Sequence, residues 1–107
     1  MVILDTNVII DHLRQRGEKS SLVRLAEKTP KQTMALSMVS VQEIYEGQST
    51  QDAEKEKSLL ATIAPLKILP YTFEVAKLAG EIARDLLHPI ELADAAIAST
   101  AVINGCE

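Results

Sequence analysis

Val2-Ile3-Leu4-Asp5-Thr6-Asn7-Val8-Ile9-Ile10 is the stretch that decides the fold class. Val2-Ile3-Leu4 is apolar without alternation, as strands buried on both faces of a parallel sheet are. Asp5-Thr6-Asn7 ends the run. Thr6 stands where it can cap the following segment, in which Val8, Ile9, Ile10 and Leu13 make one apolar helical face. A strand that runs straight into a helix opens a β-α unit.

The same grammar repeats outward from this start. Gly17 breaks the first helix. A second helix is expected over 18–29, with Leu22, Val23, Leu25 and Ala26 inward, ending before Pro30. Thr33 to Val39 reads as the second strand, and a helix follows from Ser40 to about Gly47. Residues 50–64 form a charged amphipathic helix with Leu59, Leu60 and Ile63 on its inner side; the stretch Gln51 to Lys57 is its solvated face. Leu66-Lys67-Ile68-Leu69, between Pro65 and Pro70, is the third strand. Val75, Leu78, Ala79, Ile82 and Leu86 recur at helical spacing. After a turn at His88-Pro89, a last helix runs from about Ile90 to Asn104, where Gly105 stops it. The order β-α-α-β-α-α-β-α-α predicts an α/β three-layer fold, a central parallel sheet flanked by helices.

At 107 residues, the chain is one domain, 1–107, since a typical domain takes roughly 100–200 residues. With 47% apolar residues it can build a core without staples. Eleven basic residues against 15 acidic give −4, so bulk positive charge is not how it meets a nucleic acid. Aromatics at 3% argue against an extended base-stacking platform. One cysteine, Cys106, excludes an internal disulfide framework and fits a reducing, cytoplasmic location. No secretory signal or membrane-length apolar run is visible.

Three carboxylates occupy informative positions. Asp5 lies where the first strand ends, and parallel sheets bind ligands at the carboxyl ends of their strands; its bland reading is a turn or helix cap. Glu43 lies just past the second strand. Ser40-Val41-Gln42-Glu43 also fits a capping box, with Glu43 reaching back to the backbone of Ser40. Asp94 has Ile90, Ile97, Ala98 and Ala101 as helical same-face neighbours, a carboxylate on an apolar stripe. A buried charge there requires a cation, a basic partner or donated hydrogen bonds. Brought together, such charges repel by about 4 kcal/mol per pair at about 4 Å. A carboxylate-rich, oxygen-rich pocket suits Mg²⁺ or Mn²⁺, which activates water and offsets charge on a phosphate.

Three strings carry a family resemblance: Ile3-Leu4-Asp5-Thr6-Asn7-Val8-Ile9-Ile10-Asp11; Leu36-Ser37-Met38-Val39-Ser40-Val41-Gln42-Glu43-Ile44 with Gly47 beyond; and Ile90-Glu91-Leu92-Ala93-Asp94-Ala95-Ala96-Ile97-Ala98. In order and spacing the chain resembles the PIN-domain family, and most of all the VapC-type ribonuclease toxins of toxin–antitoxin pairs. The resemblance implies a Mg²⁺- or Mn²⁺-dependent endoribonuclease that attacks RNA phosphodiesters with water, without a covalent enzyme intermediate. It implies a small cognate antitoxin as partner, one that sets an Arg or Lys near the acidic site. By the same resemblance Asp5, Glu43 and Asp94 are the catalytic and metal-binding positions. Thr6 and Asn7 are the neighbours that support the first acid, and Ser40 is the hydroxyl position ahead of the second. The amphipathic helices at 6–13 and 50–64 offer apolar surface for an incoming antitoxin helix.

Members of that family continue past the third acid through a fourth strand, a polar or acidic position, a helix and a final strand. The sequence here ends at Cys106-Glu107, Glu107 does not match that position, and the His88-Pro89 turn is short and poor in basic residues. The expectation is a C-terminally short PIN-like domain whose strand Val2–Leu4 is an open edge. Such a chain would self-associate through that edge, or be marginally stable, and be weakly active. A second reading follows, a catalytically impaired PIN remnant that serves as a protein-binding module.

Arg14, Arg16 and Arg84 are the candidate RNA-phosphate contacts; exposed basic residues on helices are the bland alternative. His12 and His88 read as surface polar groups, and Cys106 as an ordinary thiol. Asp5-Thr6-Asn7 also has the strand-end aspartate of haloacid-dehalogenase phosphatases, but that family expects a second Asp where Asn7 stands.

Overall fold

In the computed structural model, residues 1–14, 20–28, 33–86 and 88–106 are described. Arg16, the break at Gly17 and the stop before Pro30 lie outside them. The elements are β1 (Val2–Leu4), α1 (Thr6–Arg14), α2 (Ser21–Lys28), β2 (Met34–Ser37), α3 (Met38–Glu46), a 3₁₀ turn (Gln48–Gln51), α4 (Ala53–Ile63), β3 (Lys67–Leu69), α5 (Phe73–Asp85) and α6 (Leu92–Ile103). The expected order of strands and helices is the observed one.

The three strands form a parallel sheet in the order β1-β2-β3. Val2, Ile3 and Leu4 pair with Met34, Ala35 and Leu36, and Ala35, Leu36 and Ser37 pair with Lys67, Ile68 and Leu69. Among the described residues, β1 therefore stands at one edge. Strand side chains alternate between faces. Leu4 and Leu36 meet Ile9 of α1, Ile44 of α3 and Leu59 of α4 in one buried cluster, with Leu13, Leu22, Leu25, Val41 and Ile63 around it. Leu69, Val75, Ala79, Ala95 and Ala96 are buried outside that cluster. They belong with α5 and α6, which pack on each other, while α6 also packs on β1 and β2. The small residues Ala95, Ala96 and Ser99 let α6 approach closely.

Element boundaries differ from the sequence reading for local reasons. The second strand ends at Ser37, not Val39, because the Ser37 side chain accepts the Val39 N–H at 3.1 Å and so starts α3 at Met38. The segment at 50–64 divides at Asp52, whose carboxylate accepts the N–H groups of Glu54 and Lys55 and caps α4. Leu60, expected inward, is exposed, while Leu59 is buried. The apolar faces of α1 and α4 are largely taken up by the core through Ile9 and Leu59, which narrows the surface left for an incoming helix. The last helix begins at Leu92, so Ile90 precedes it. Gly105, at φ +67°, takes the left-handed conformation after α6 that glycine adopts without steric cost. Among the described residues no helix is long and apolar enough to cross a membrane.

Candidate acidic site at the carboxyl edge of the sheet

Asp5 follows β1 directly. One step beyond Leu4, which pairs with Leu36, it stands level with Ser37 at the end of β2. Its Oδ1 accepts the Asn7 N–H at 3.3 Å, so Asp5, and not Thr6, caps α1. Asp5 is exposed, and one accepted N–H leaves its carboxylate with further lone pairs to offer. Asn7 supports Asp5 through its backbone, and its side chain is exposed.

Thr6, released from capping, turns inward and is only 5% exposed. Its Oγ1 lies 2.6 Å from Glu43 Oε1 and 2.8 Å from Ser40 Oγ. A hydroxyl carries one proton, and an ionised carboxylate only accepts. The Thr6 hydroxyl therefore donates to Glu43, and Ser40 donates to Thr6. This corrects the expectation that Thr6 serves the first acid: it ties the residue after Asp5 to the second acid. It also overturns the Ser40–Glu43 capping box. With α3 starting at Met38, Ser40 is inside the first turn and fully buried, and Glu43 is in the second turn, too far along to reach back. Half-buried Glu43 is fixed from across the sheet edge instead.

Asp94 does not sit on a buried stripe. The buried face of α6 is Ala95, Ala96, Ser99 and Thr100. At about 100° per residue, Asp94 falls off the shoulder of that face, and it is exposed together with Ala98. The predicted stripe is displaced by one position because α6 is covered on two sides, by α5 and by the sheet. Asp94 keeps its place in the first turn of α6. A carboxylate there also faces the partial positive charge of a helix N-terminus.

The start of α6 lies against α3 and forms a cleft of about 360 Å³ lined by Met38, Val39, Gln42, Glu43, Glu46, Tyr71, Glu91, Leu92 and Ala93. Glu43 is on its wall; Asp5 and Asp94 are not. Tyr71, Glu46 and Glu91 escaped the sequence reading. The signal for Tyr71 was its position just past β3, the carboxyl end of the third strand. Glu91 stands at the N-cap of α6 but makes no side-chain cap bond.

Three hard carboxylates are the right kind of donor for Mg²⁺ or Mn²⁺. Their spacing is another matter: among the described residues no group of three His, Cys, Asp or Glu side chains is gathered for one ion. Asp5, Glu43 and Asp94 together on one cation would repel one another until the cation offsets their charge.

The basic candidates divide. Arg14 is exposed at the end of α1. Arg84 is forked onto its neighbour Asp85, Nε to Oδ1 at 2.8 Å and Nη2 to Oδ2 at 3.1 Å. That bond raises the Arg84 pKa and holds the Asp85 carboxyl below the usual range. Much of the Arg84 charge is thus answered within the chain. His12 is not a plain surface group: it is half-buried, with Nδ1 2.7 Å from Oγ of buried Ser20, whose oxygen also accepts the Val23 N–H in the first turn of α2.

Several solved structures resemble the chain. "DNA bound VapBC from Salmonella typhimurium" superposes at TM-score 0.82 and 22% identity, over 99% of this chain and 83% of that one. "VapBC2 from Rickettsia felis bound to a DNA fragment from their promoter" gives 0.79 and 18%, over 98% and 83%. "FitAcB from Neisseria gonorrhoeae" gives 0.71 and 28%, over 99% and 84%. None of the curated proteins matches the chain. The family model described as PIN domain matches residues 2–107, essentially the full chain that carries the parallel sheet and the acidic edge, and the chain belongs to the PIN domain family.

Proposed function

We propose that the protein is a Mg²⁺- or Mn²⁺-dependent endoribonuclease and the toxin of a toxin–antitoxin pair. The observation that carries this reading is the Thr6 hydroxyl on Glu43 at 2.6 Å, backed by Ser40. It ties Thr6, the residue after Asp5, to Glu43 of α3 through a part-buried hydrogen bond, so that one carboxylate is oriented beside the residue that follows another. The likeness to solved toxin–antitoxin complexes, including one from Klebsiella pneumoniae at TM-score 0.78, supports an antitoxin partner.

Asp5, Glu43 and Asp94 would hold the divalent ion, whose chemistry is to activate water and offset charge on the scissile phosphate. The chain's own residues do the positioning. Thr6 fixes one Glu43 oxygen and leaves the other open. Asp5 is held in place by the Asn7 N–H, with its second oxygen exposed. Arg14, exposed at the end of α1, would approach RNA phosphates, and so would Arg16, two positions further along the sequence; Arg84 is a weaker candidate because Asp85 engages it. A homodimer or other self-association belongs to the same proposal; among the described residues β1 stands at one edge of the sheet, where backbone pairing with a second copy would form. The single cysteine fits a cytoplasmic site of action.

The test is cleavage of RNA in Mn²⁺ by the protein and by Asp5→Asn, Glu43→Gln and Asp94→Asn. Each substitution is expected to lower activity by orders of magnitude. Full activity in Asp94→Asn would remove that residue from the site. A second reading has its own observation: among the described residues no three acids are gathered for one ion. It makes the chain a catalytically impaired, protein-binding PIN module. Mn²⁺ binding that is lost on Glu43→Gln favours the nuclease; absence of Mn²⁺ binding together with antitoxin binding favours the module.

A further inference from the structure

The cleft between α3 and α6 shares Glu43 with the chemistry just outlined, and its other lining residues take no part in it. Its volume, about 360 Å³, is at the small end of ligand sites, which run from roughly 300 to 1,000 Å³. It admits one nucleoside rather than a length of chain. Its apolar lining includes Met38 and Leu92, and the 41%-exposed ring of Tyr71 stands beside them. Its polar lining is three carboxylates, Glu43, Glu46 and Glu91, and the Gln42 amide, with no cation among the lining residues. A phosphate is repelled from such a place, so an RNA strand could enter it only through a base.

We propose that this cleft is a base-recognition pocket, and that it selects guanine beside the bond to be cut. The inference rests on the ribonuclease reading. Single-stranded RNA is read by stacking on aromatic rings and by hydrogen bonds to the Watson–Crick edge. Tyr71 supplies the ring. The guanine edge presents adjacent N1–H and N2–H donors, and one carboxylate accepts such a pair with its two oxygens. Glu46 is the acceptor best prepared for this. The Gln42 side-chain amide donates to its Oε1 at 3.2 Å, which holds the carboxylate by one lone pair and leaves the others free. Uracil presents a single N–H between two carbonyls, and those carbonyls would face carboxylates. Glu43 closes the wall on the side of Asp5 and Thr6, which sets the base next to the acidic edge.

The test is an NMR titration of the metal-free protein with guanosine and with uridine, following the Tyr71 ring and the Gln42 side-chain amide. Guanosine is expected to shift both signals, and uridine to do so at least tenfold more weakly. Tyr71→Ala should weaken guanosine binding about tenfold, since base–aromatic stacking is of that size. Glu46→Gln should abolish the preference for guanosine while leaving stacking. Both residues are exposed, so the variants are expected to fold. Equal shifts by the two nucleosides, or none by guanosine, overturn the proposal. So does a cleft that takes arginine amide but not guanosine, which would make it a peptide site. RNA cleavage in Mn²⁺ is scored separately. Guanosine binding without cleavage keeps the pocket and removes the nuclease; cleavage with no guanosine binding keeps the nuclease and removes the pocket.

Discussion

Removing the Thr6 hydroxyl tests the chain of hydrogen bonds on which the acidic edge depends. Thr6→Val keeps the shape and the β-branch but removes the donor to Glu43 and the acceptor for Ser40. The first bond is charge-assisted, and bonds to charged groups contribute about 1.5–3 kcal/mol. The second loss leaves the fully buried Ser40 hydroxyl without the partner it has in the wild type. The bond to Glu43 is only partly buried, so water can replace some of it, which places the expected loss at about 2 kcal/mol, near the middle of that range. Urea unfolding at neutral pH measures it, with an unchanged slope showing that both states keep their compactness. Adding Ser40→Ala to Thr6→Val removes the orphan as well, so the double variant should be no less stable than Thr6→Val and should regain part of the loss. Coupled neighbours deviate from additivity by roughly 0.5–3 kcal/mol. A loss below about 0.5 kcal/mol for Thr6→Val, the size of an ordinary surface change, would refute the claim that this hydroxyl holds Glu43.

Millimolar Mn²⁺ should raise the melting temperature through linkage, adding about 2.7 kcal/mol at a hundred times its dissociation constant, and Asp5→Asn should blunt the gain; a melt indifferent to the ion counts against a metal site. Ser99, fully buried on α6, has a hydroxyl with no hydrogen-bond partner, so Ser99→Ala should stabilise the protein by about 1 kcal/mol in thermal or chemical unfolding; a clear loss would mean the hydroxyl does bond in solution. For the Arg84–Asp85 pair, the folded Asp85 pKa is lowered, so its small contribution to stability is present above the ordinary Asp range and lost as pH falls through the lowered value. NMR titration should find the Asp85 midpoint below that of an ordinary aspartate, and Arg84→Gln should return it upward; no movement would mean the fork is not held in solution.

The order of elements, the parallel sheet and the place of Asp5 just past β1 were legible in the chain itself. Unalternated runs such as Val2-Ile3-Leu4, the prolines at 65 and 70 and the period of Val75, Leu78, Ala79 and Ile82 are local signals, and backbone geometry within a few residues decides them. The family resemblance drew on the same short strings. What failed were the claims about which partners Thr6, Ser40 and Glu43 would find. Ser37 outcompeted Ser40 for the cap because it sits at the end of a strand whose register is set by β1 and β3. Thr6 bonds to groups 34 and 37 positions away, a distance no window along the chain spans. Asp94 read as buried because helical spacing gives neighbours on one helix but not which side another element will cover; packing of α6 between α5 and the sheet decided that. Tyr71, Glu46 and Glu91 share a cleft only because three elements far apart in sequence meet at one end of the sheet. Periodicity, capping and turn residues act through neighbours along the chain and so are written in the sequence. Hydrogen-bond partners and clefts form between elements, where burial and register select among contacts that the sequence leaves equally available.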